Sequence, residues 1–198
     1  NVSGTLYFRA TEGTSGAELW KSDGTEAGTV RVKDIRAGTI GSSPYNLTNV
    51  SGTLYFAAQD GASGYELWKS DGTSAGTVRV KDIRAGSNSS SARNLTNMSG
   101  MLYFSANDGT SGAELWKSDG TEVGTVRVKD IRAGSSWSNS NYLTNVNGTL
   151  FFHANEGTSG VELWKSDGTE AGTVRVKDIR AGSSNSTPNN LTNMNGTL

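Results

Sequence analysis

Four arginines, Arg36, Arg84, Arg132 and Arg180, recur at intervals of 48 residues. Each opens a polar connection, and in a closed ring of repeats they would form a circle of guanidinium groups on one face. Such a circle suits an anion, or a sulfated or carboxylated glycan, because each guanidinium presents a planar fork of donors to oxyanions. The competing use is local. Asp34, Asp82, Asp130 and Asp178 lie two positions earlier, on the same face, and are placed to form salt bridges with them. A second candidate chemistry is calcium at Asp23-Gly24-Thr25 and its copies at Asp71, Asp119 and Asp167. Calcium takes roughly six to eight oxygens, usually including several carboxylates. Each loop supplies one Asp, and only some add Glu26, Glu122 or Glu170. These Asp side chains read better as turn caps beside a glycine of unusual φ, so no metal is expected. The single histidine, His153, takes the phase of Arg9, Ala57 and Ser105, and there is no cysteine. Neither a thiol nucleophile nor a histidine-based metal site can be assembled. No catalytic residue and no cofactor is expected, and the chain is read as a non-enzyme.

The other candidate positions lie where the copies differ. The connections after Gly38 and its equivalents, Thr39 to Tyr45, Ser87 to Arg93, Ser135 to Tyr142 and Ser183 to Asn189, all differ. Variable loops on a rigid scaffold are a usual place for recognition. Tyr45, Arg93, Trp137, Tyr142, Asn139, Asn141 and Asn189 are therefore the candidate ligand contacts. Trp137 among Ser and Asn would suit stacking on a sugar. Neutral drift in a solvated loop is the alternative.

These positions need a scaffold, and the scaffold is a repeat. The stretch Glu18 to Gly38, ELWKSDGTEAGTVRVKDIRAG, returns almost letter for letter at Glu66, Glu114 and Glu162. In the second copy, Asn46–Val50 is short and rich in β-formers, and Ser51-Gly52 signals a two-residue hairpin. Thr53–Ala58, Tyr65–Ser70 and Thr77–Ile83 follow as strands, separated by glycine-bearing loops. Two-residue alternation marks the last of them. Four antiparallel strands in 48 residues make one propeller blade, close to kelch and WD repeat lengths. The expected fold is thus an all-β, propeller-like domain spanning 1–198. Its units are 1–45, 46–93, 94–141 and 142–189, with a closing strand at 190–198.

Composition agrees with this reading. Hydrophobic residues make up only 33% of the chain, and 26 residues are glycine. Such values fit disorder too, but strictly phased apolar positions favour short strands joined by turns. The net charge of -1 lacks the basic excess of a nucleic-acid surface. No apolar run is long enough to span a membrane, so neither partner is expected. The chain starts at Asn1 without a leader, which suggests a processed form or an excised piece.

In ELWKSDGTEAGT, ELWKSDGTSAGT and ELWKSDGTEVGT the chain resembles the ELWxxDGT-repeat proteins, which occur mostly in large secreted or surface-bound bacterial chains. The resemblance covers all four copies. It implies propeller-like blades and an extracellular setting, and no reaction. The SDGTxxGT segment is also similar to the Asp-box hairpin of other propellers, although its spacing differs. The function expected is a non-catalytic binding or adhesion module, of lectin type, with a glycan or cell-surface ligand. The alternative is a structural repeat that assembles into a multi-chain ring or fibre.

Two further expectations concern packing. If Glu18–Ser22 pairs with Thr29–Lys33, placing Trp20 opposite Arg31 puts Leu19 opposite Val32 and Glu18 opposite Lys33. The guanidinium would then stack on the indole, and Leu6, Phe8, Leu19, Trp20, Val30 and Val32 would be buried in every copy. At the ends, Asn193–Leu198 repeats the phase of Asn1–Leu6. The first copy lacks most of its inner strand, and Asn190–Met194 is a spare one. The chain is expected to self-associate through 190–198, as a two-chain ring of eight blades or part of a longer array.

Overall fold

The structure, a computed structural model, describes all residues 1–198 and is all-β. The first sheet holds β1 (Leu6–Glu12), β2 (Gly16–Ser22) and β3 (Val30–Lys33). The second holds β4 (Tyr45–Val50), β5 (Thr53–Gln59), β6 (Tyr65–Ser70) and β7 (Val78–Lys81). The third holds β8 (Arg93–Met98), β9 (Met101–Asn107), β10 (Ala113–Ser118) and β11 (Val126–Lys129). The fourth holds β12 (Asn141–Val146), β13 (Thr149–Asn155), β14 (Val161–Ser166) and β15 (Val174–Lys177). Within each sheet, strands follow chain order and run antiparallel, the arrangement of a propeller blade. The chain divides into two compact units, Asn1–Ala92 and Arg93–Leu198, each carrying two blades.

The inner hairpins form as their sequence demands. Ser51 and Gly52 have φ of 50° and 88°, and Asn147 and Gly148 have 50° and 79°. Positive φ at both central positions is the type I′ turn that matches strand twist. In the Asp-Gly-Thr turns, Asp71 Oδ1 accepts from Thr73 N at 2.8 Å and Thr73 Oγ1 at 2.7 Å, while Gly76 N donates to Thr73 Oγ1 at 2.9 Å. These bonds hold the Asp71 carboxyl below its usual range. The carboxylate serves its own turn.

The cores of the two units correspond residue by residue. In the first, Leu19, Val32 and Ile35 of one blade meet Leu54, Phe56, Ala58 and Trp68 of the next. In the second, Leu115, Val128 and Ile131 meet Leu150, Phe152, Ala154 and Trp164. Lysines close the same seam: Lys21 Nζ donates to Gly72 O at 2.8 Å and Lys33 Nζ to Thr77 O at 2.7 Å. Lys117 and Lys129 do so to Gly168 O and Thr173 O at 2.8 and 2.9 Å. The indole Nε1 of each of Trp20, Trp68, Trp116 and Trp164 is buried without an acceptor, so these side chains act by shape.

The structure changes four expectations. Trp20 does face Arg31, but Leu19 faces Lys33, because a bulge between Leu19 and Trp20 adds one residue to the outer strand. That extra residue inverts the expected parity. Val32 stays buried, whereas Val30 faces Lys21 and is exposed, as are Val78, Val126 and Val174. The Arg31 guanidinium bonds Ser15 and pairs with Glu12 at 3.3 Å and Asp34 at 3.9 Å, so its charge meets acids and not the indole face. Leu6, unlike Leu54, Leu102 and Leu150, is exposed. Apart from these four, residues 190–198 form no ladder within a single chain, where Met194 and Thr197 make one isolated bridge. A strand without a partner sheet cannot satisfy its backbone groups.

Candidate functional site

The variable connections are anchored by a group that sequence reading passed over. Glu18, Glu66, Glu114 and Glu162, the first letter of each ELW, are fully buried. Their oxygens reach across to the connection. Glu18 accepts from Ile35 N at 3.1 Å, Ser42 N at 2.7 Å and Ser42 Oγ at 2.5 Å. Glu66 accepts from Ile83 N at 2.9 Å and Ser90 N at 2.8 Å, and Glu114 from Ile131 N at 2.9 Å and Ser138 N at 3.0 Å. Burial pushes both Glu66 and Glu114 up to about 7, against the lowering effect of these bonds. In the last blade burial again raises Glu162, but the bonds from Ser186, Ile179 N and Arg180 N outweigh it and its carboxyl lies below the usual range. The clue was present: within otherwise variable connections, Ser42, Ser90, Ser138 and Ser186 stand at a fixed distance from these glutamates.

A second anchor is steric. Gly16, at φ +65°, would place a Cβ 2.6 Å from the backbone of Thr39 and Gly41, and Gly64 one at 2.7 Å from Asn88. The loop after the second strand and the connection therefore lie side by side on one face. Ala17 and Gly41 even form a parallel bridge.

On that face the second unit carries four of the candidate residues, Arg93, Trp137, Asn141 and Tyr142. The Arg93 guanidinium lies 5.4 Å above the exposed Trp137 ring. Asn94 Nδ2 donates to Asn141 Oδ1 at 2.5 Å and to Ser140 O at 3.3 Å. Tyr142 meets His153 edge-on, with ring centroids 5.0 Å apart. His153 Nδ1 donates to Pro188 O at 2.9 Å, which turns the acceptor Nε2 the other way; burial lowers its pKa. A hollow of about 470 Å³ is lined by Asn94, Leu95, Thr96, Asn141, Tyr142, Leu143 and His153, none of them a charged group at neutral pH.

Tyr142 also carries a backbone signal. It has φ of 57°, at the phase where Asn46, Asn94 and Asn190 adopt φ of 56°, 56° and 53°. Asn tolerates the left-handed region, while a bulky tyrosine there is strained. Such strain persists where the surroundings impose it, and functional sites are a common place for it.

The remaining candidates lie elsewhere. Tyr45 packs edge-on against Tyr65 in the first unit, centroids 5.4 Å apart. Asn139 is exposed, and its carbonyl accepts from Asn141 Nδ2 at 3.0 Å. Asn189 bonds Thr187 O and Asn190 at 3.2 and 2.9 Å. The arginines of the circle do not make the local salt bridges weighed for them. Arg31, Arg79 and Arg127, not Arg36, Arg84 and Arg132, pair with Asp34, Asp82 and Asp130. Arg36 lies against Gly61 in the next blade, and Arg132 against Gly157. Arg84 is half-buried and Arg180 exposed. Of the hollow's lining, Asn94, Leu95, Thr96 and Leu143 were not foreseen, because they belong to constant strands. His153 was set aside because its siblings differ.

No protein-family model and no curated protein matches the sequence. Among solved structures, the chain is similar to puromycin hydrolase in a mutant complexed with PGG, at 16% identity and TM-score 0.56. It is also similar to a second puromycin hydrolase structure, at 17% identity and TM-score 0.54. The likenesses cover 88% and 87% of this chain and 28% of those chains. At this identity they speak to the fold alone, and they support blades of β-propeller type.

Proposed function

We propose that the chain is a non-catalytic recognition module of the ELWxxDGT-repeat kind, working outside the cell, whose variable connections hold a neutral carbohydrate. One observation carries this reading: the hollow beside Tyr142, with only uncharged polar and apolar walls. Sugars present hydroxyls that both donate and accept, together with apolar C–H faces. The amides of Asn94 and Asn141, the Thr96 hydroxyl and His153 Nε2 answer the first, and the Tyr142 ring and Leu143 the second. A sulfated or carboxylated ligand finds no free cation in this lining, which favours a neutral glycan over the anionic one.

The test is a glycan array, followed by calorimetry with the best neutral oligosaccharide and the Tyr142→Asn variant. Asparagine is the residue that the sibling copies carry in this backbone conformation, so the variant should fold and gain about 1 kcal/mol in stability. It should lose most of its affinity. A stable variant that binds as tightly as the parent, or an array with no neutral glycan signal, would overturn the proposal.

A further inference from the structure

The two ends of the repeat expose the two halves of one seam. Inside each unit, Val32 and Val128 are buried to 6% exposure by the blade that follows; in the last blade Val176 is 45% exposed and Ile179 53%. The opposite half shows at the first blade. Leu54 and Leu150, at 3% and 0%, receive the preceding blade, while Leu6 is 53% exposed. Phe8, Ala10 and Trp20 are only partly covered, where Phe56, Ala58 and Trp68 are buried. The polar partners are also left over. Lys165 and Lys177 repeat Lys21 and Lys33, which donate to the next blade's Gly72 O and Thr77 O. The matching acceptors in the first blade are the carbonyls of Gly24 and Thr29.

We infer that the exposed face of the fourth blade binds the exposed face of the first blade in a second copy of this chain, head to tail. Continuity with the internal seam identifies the occupant, because the two faces repeat the surfaces that already meet between blades one and two and between blades three and four. Leu163, Val176 and Ile179 pack on Leu6, Phe8, Ala10 and Trp20, with Lys165 and Lys177 donating to Gly24 O and Thr29 O. The tail takes part. Asn193 Nδ2 already donates to Asn145 O at 3.0 Å and Thr144 Oγ1 to Leu191 O at 3.2 Å, so 191–193 lies where a fifth blade's inner strand would start. The β1 strand has a neighbour on one side alone. By the internal register Thr48↔Tyr55 and Asn49↔Leu54, the tail pairs Thr192 with Tyr7 and Asn193 with Leu6 of the second copy. Asn193–Leu198 then competes with that copy's Asn1–Leu6, and one of the two is displaced. The contact is heterologous, so it closes a ring or continues as an array.

This inference does not depend on the carbohydrate reading, since Tyr142 and its hollow take no part. The test is the solution mass of this 198-residue chain, measured by light scattering over micromolar concentrations, for wild type, Leu6→Asp and Ile179→Asp. Both substituted residues are exposed in the single chain, so circular dichroism should not change, while wild type should melt higher than either variant at high concentration through its assembly. Wild type should run at twice the 20.8 kDa chain mass or a higher multiple. Each variant alone should fall to the chain mass, because it keeps only one of the two halves. An equimolar mixture of the variants should recover a pair at twice the chain mass, which a two-fold symmetric contact would not give. Wild type at the chain mass throughout, variants that still assemble, or a mixture that stays monomeric would each overturn the inference.

Discussion

Replacing Glu66 with glutamine tests the buried carboxyl through its pH dependence. Glutamine keeps the volume and one acceptor oxygen, but it turns an NH2 group toward Ile83 N–H or Ser90 N–H, which Glu66 now accepts at 2.9 and 2.8 Å. One buried donor is left unmet, at a cost of about 1 to 3 kcal/mol. The wild-type carboxyl carries a liability of its own, since burial pushes it up to about 7 from 4.5. A carboxyl with a raised folded pKa holds its proton more tightly in the folded chain. Its stabilising contribution is complete below the unfolded value and is lost as pH rises through the folded one. Between pH 5 and pH 8, wild type therefore loses about 2 to 3 kcal/mol through this side chain that the variant does not lose, at about 1.4 kcal/mol per pKa unit. Glu114 titrates alike in both proteins and cancels in the difference. Urea unfolding followed by tryptophan fluorescence should show the variant clearly weaker at pH 5 and close to wild type at pH 8. A penalty equally large at both pH values would refute the raised pKa, and with it a carboxyl held by backbone donors without a cation.

Wild-type stability should itself fall as pH rises from about 4.5 to about 7, because Glu66 and Glu114 both sit near 7 when folded. His153, whose lowered pKa acts in the opposite sense below 6.5, should only partly offset this in a series of thermal melts. Trp68→Ala should cost roughly 3 to 5 kcal/mol in urea unfolding, as other large-to-small core changes do. The same variant should leave the glycan affinity of its folded fraction unchanged; a stable variant that loses binding would make the indole a ligand contact. Gly64→Ala should cost more than about 2 kcal/mol in thermal unfolding, because φ is +65° and its Cβ would meet Asn88 backbone at 2.7 Å.

The blades were legible in the sequence because three signals agreed: the unbroken 48-residue period, the Ser-Gly and Asn-Gly pairs, and apolar alternation. The bulge was not legible. Val30-Arg31-Val32-Lys33 alternates perfectly, and a bulge leaves that alternation intact while shifting it against the partner strand. The glutamates were hidden for another reason. A charged residue beside Leu and Trp in a strand reads as the solvent face, and only the spatial nearness of Ile35 and Ser42 makes burial affordable for Glu18. Half of the candidate site was visible as departures from the repeat, in Arg93, Trp137, Asn141 and Tyr142. The other half, Asn94 to Thr96 and Leu143, follows the repeat and becomes a wall only where Tyr142 and His153 depart from it.

The outer edge of every blade has a consequence for crowding. The strands β3, β7, β11 and β15 are four residues long, bulged, and studded with Arg and Lys. Short, kinked and cationic edges make poor templates for another strand. Chains of this kind can therefore stand side by side at high density without zipping laterally into cross-β aggregates.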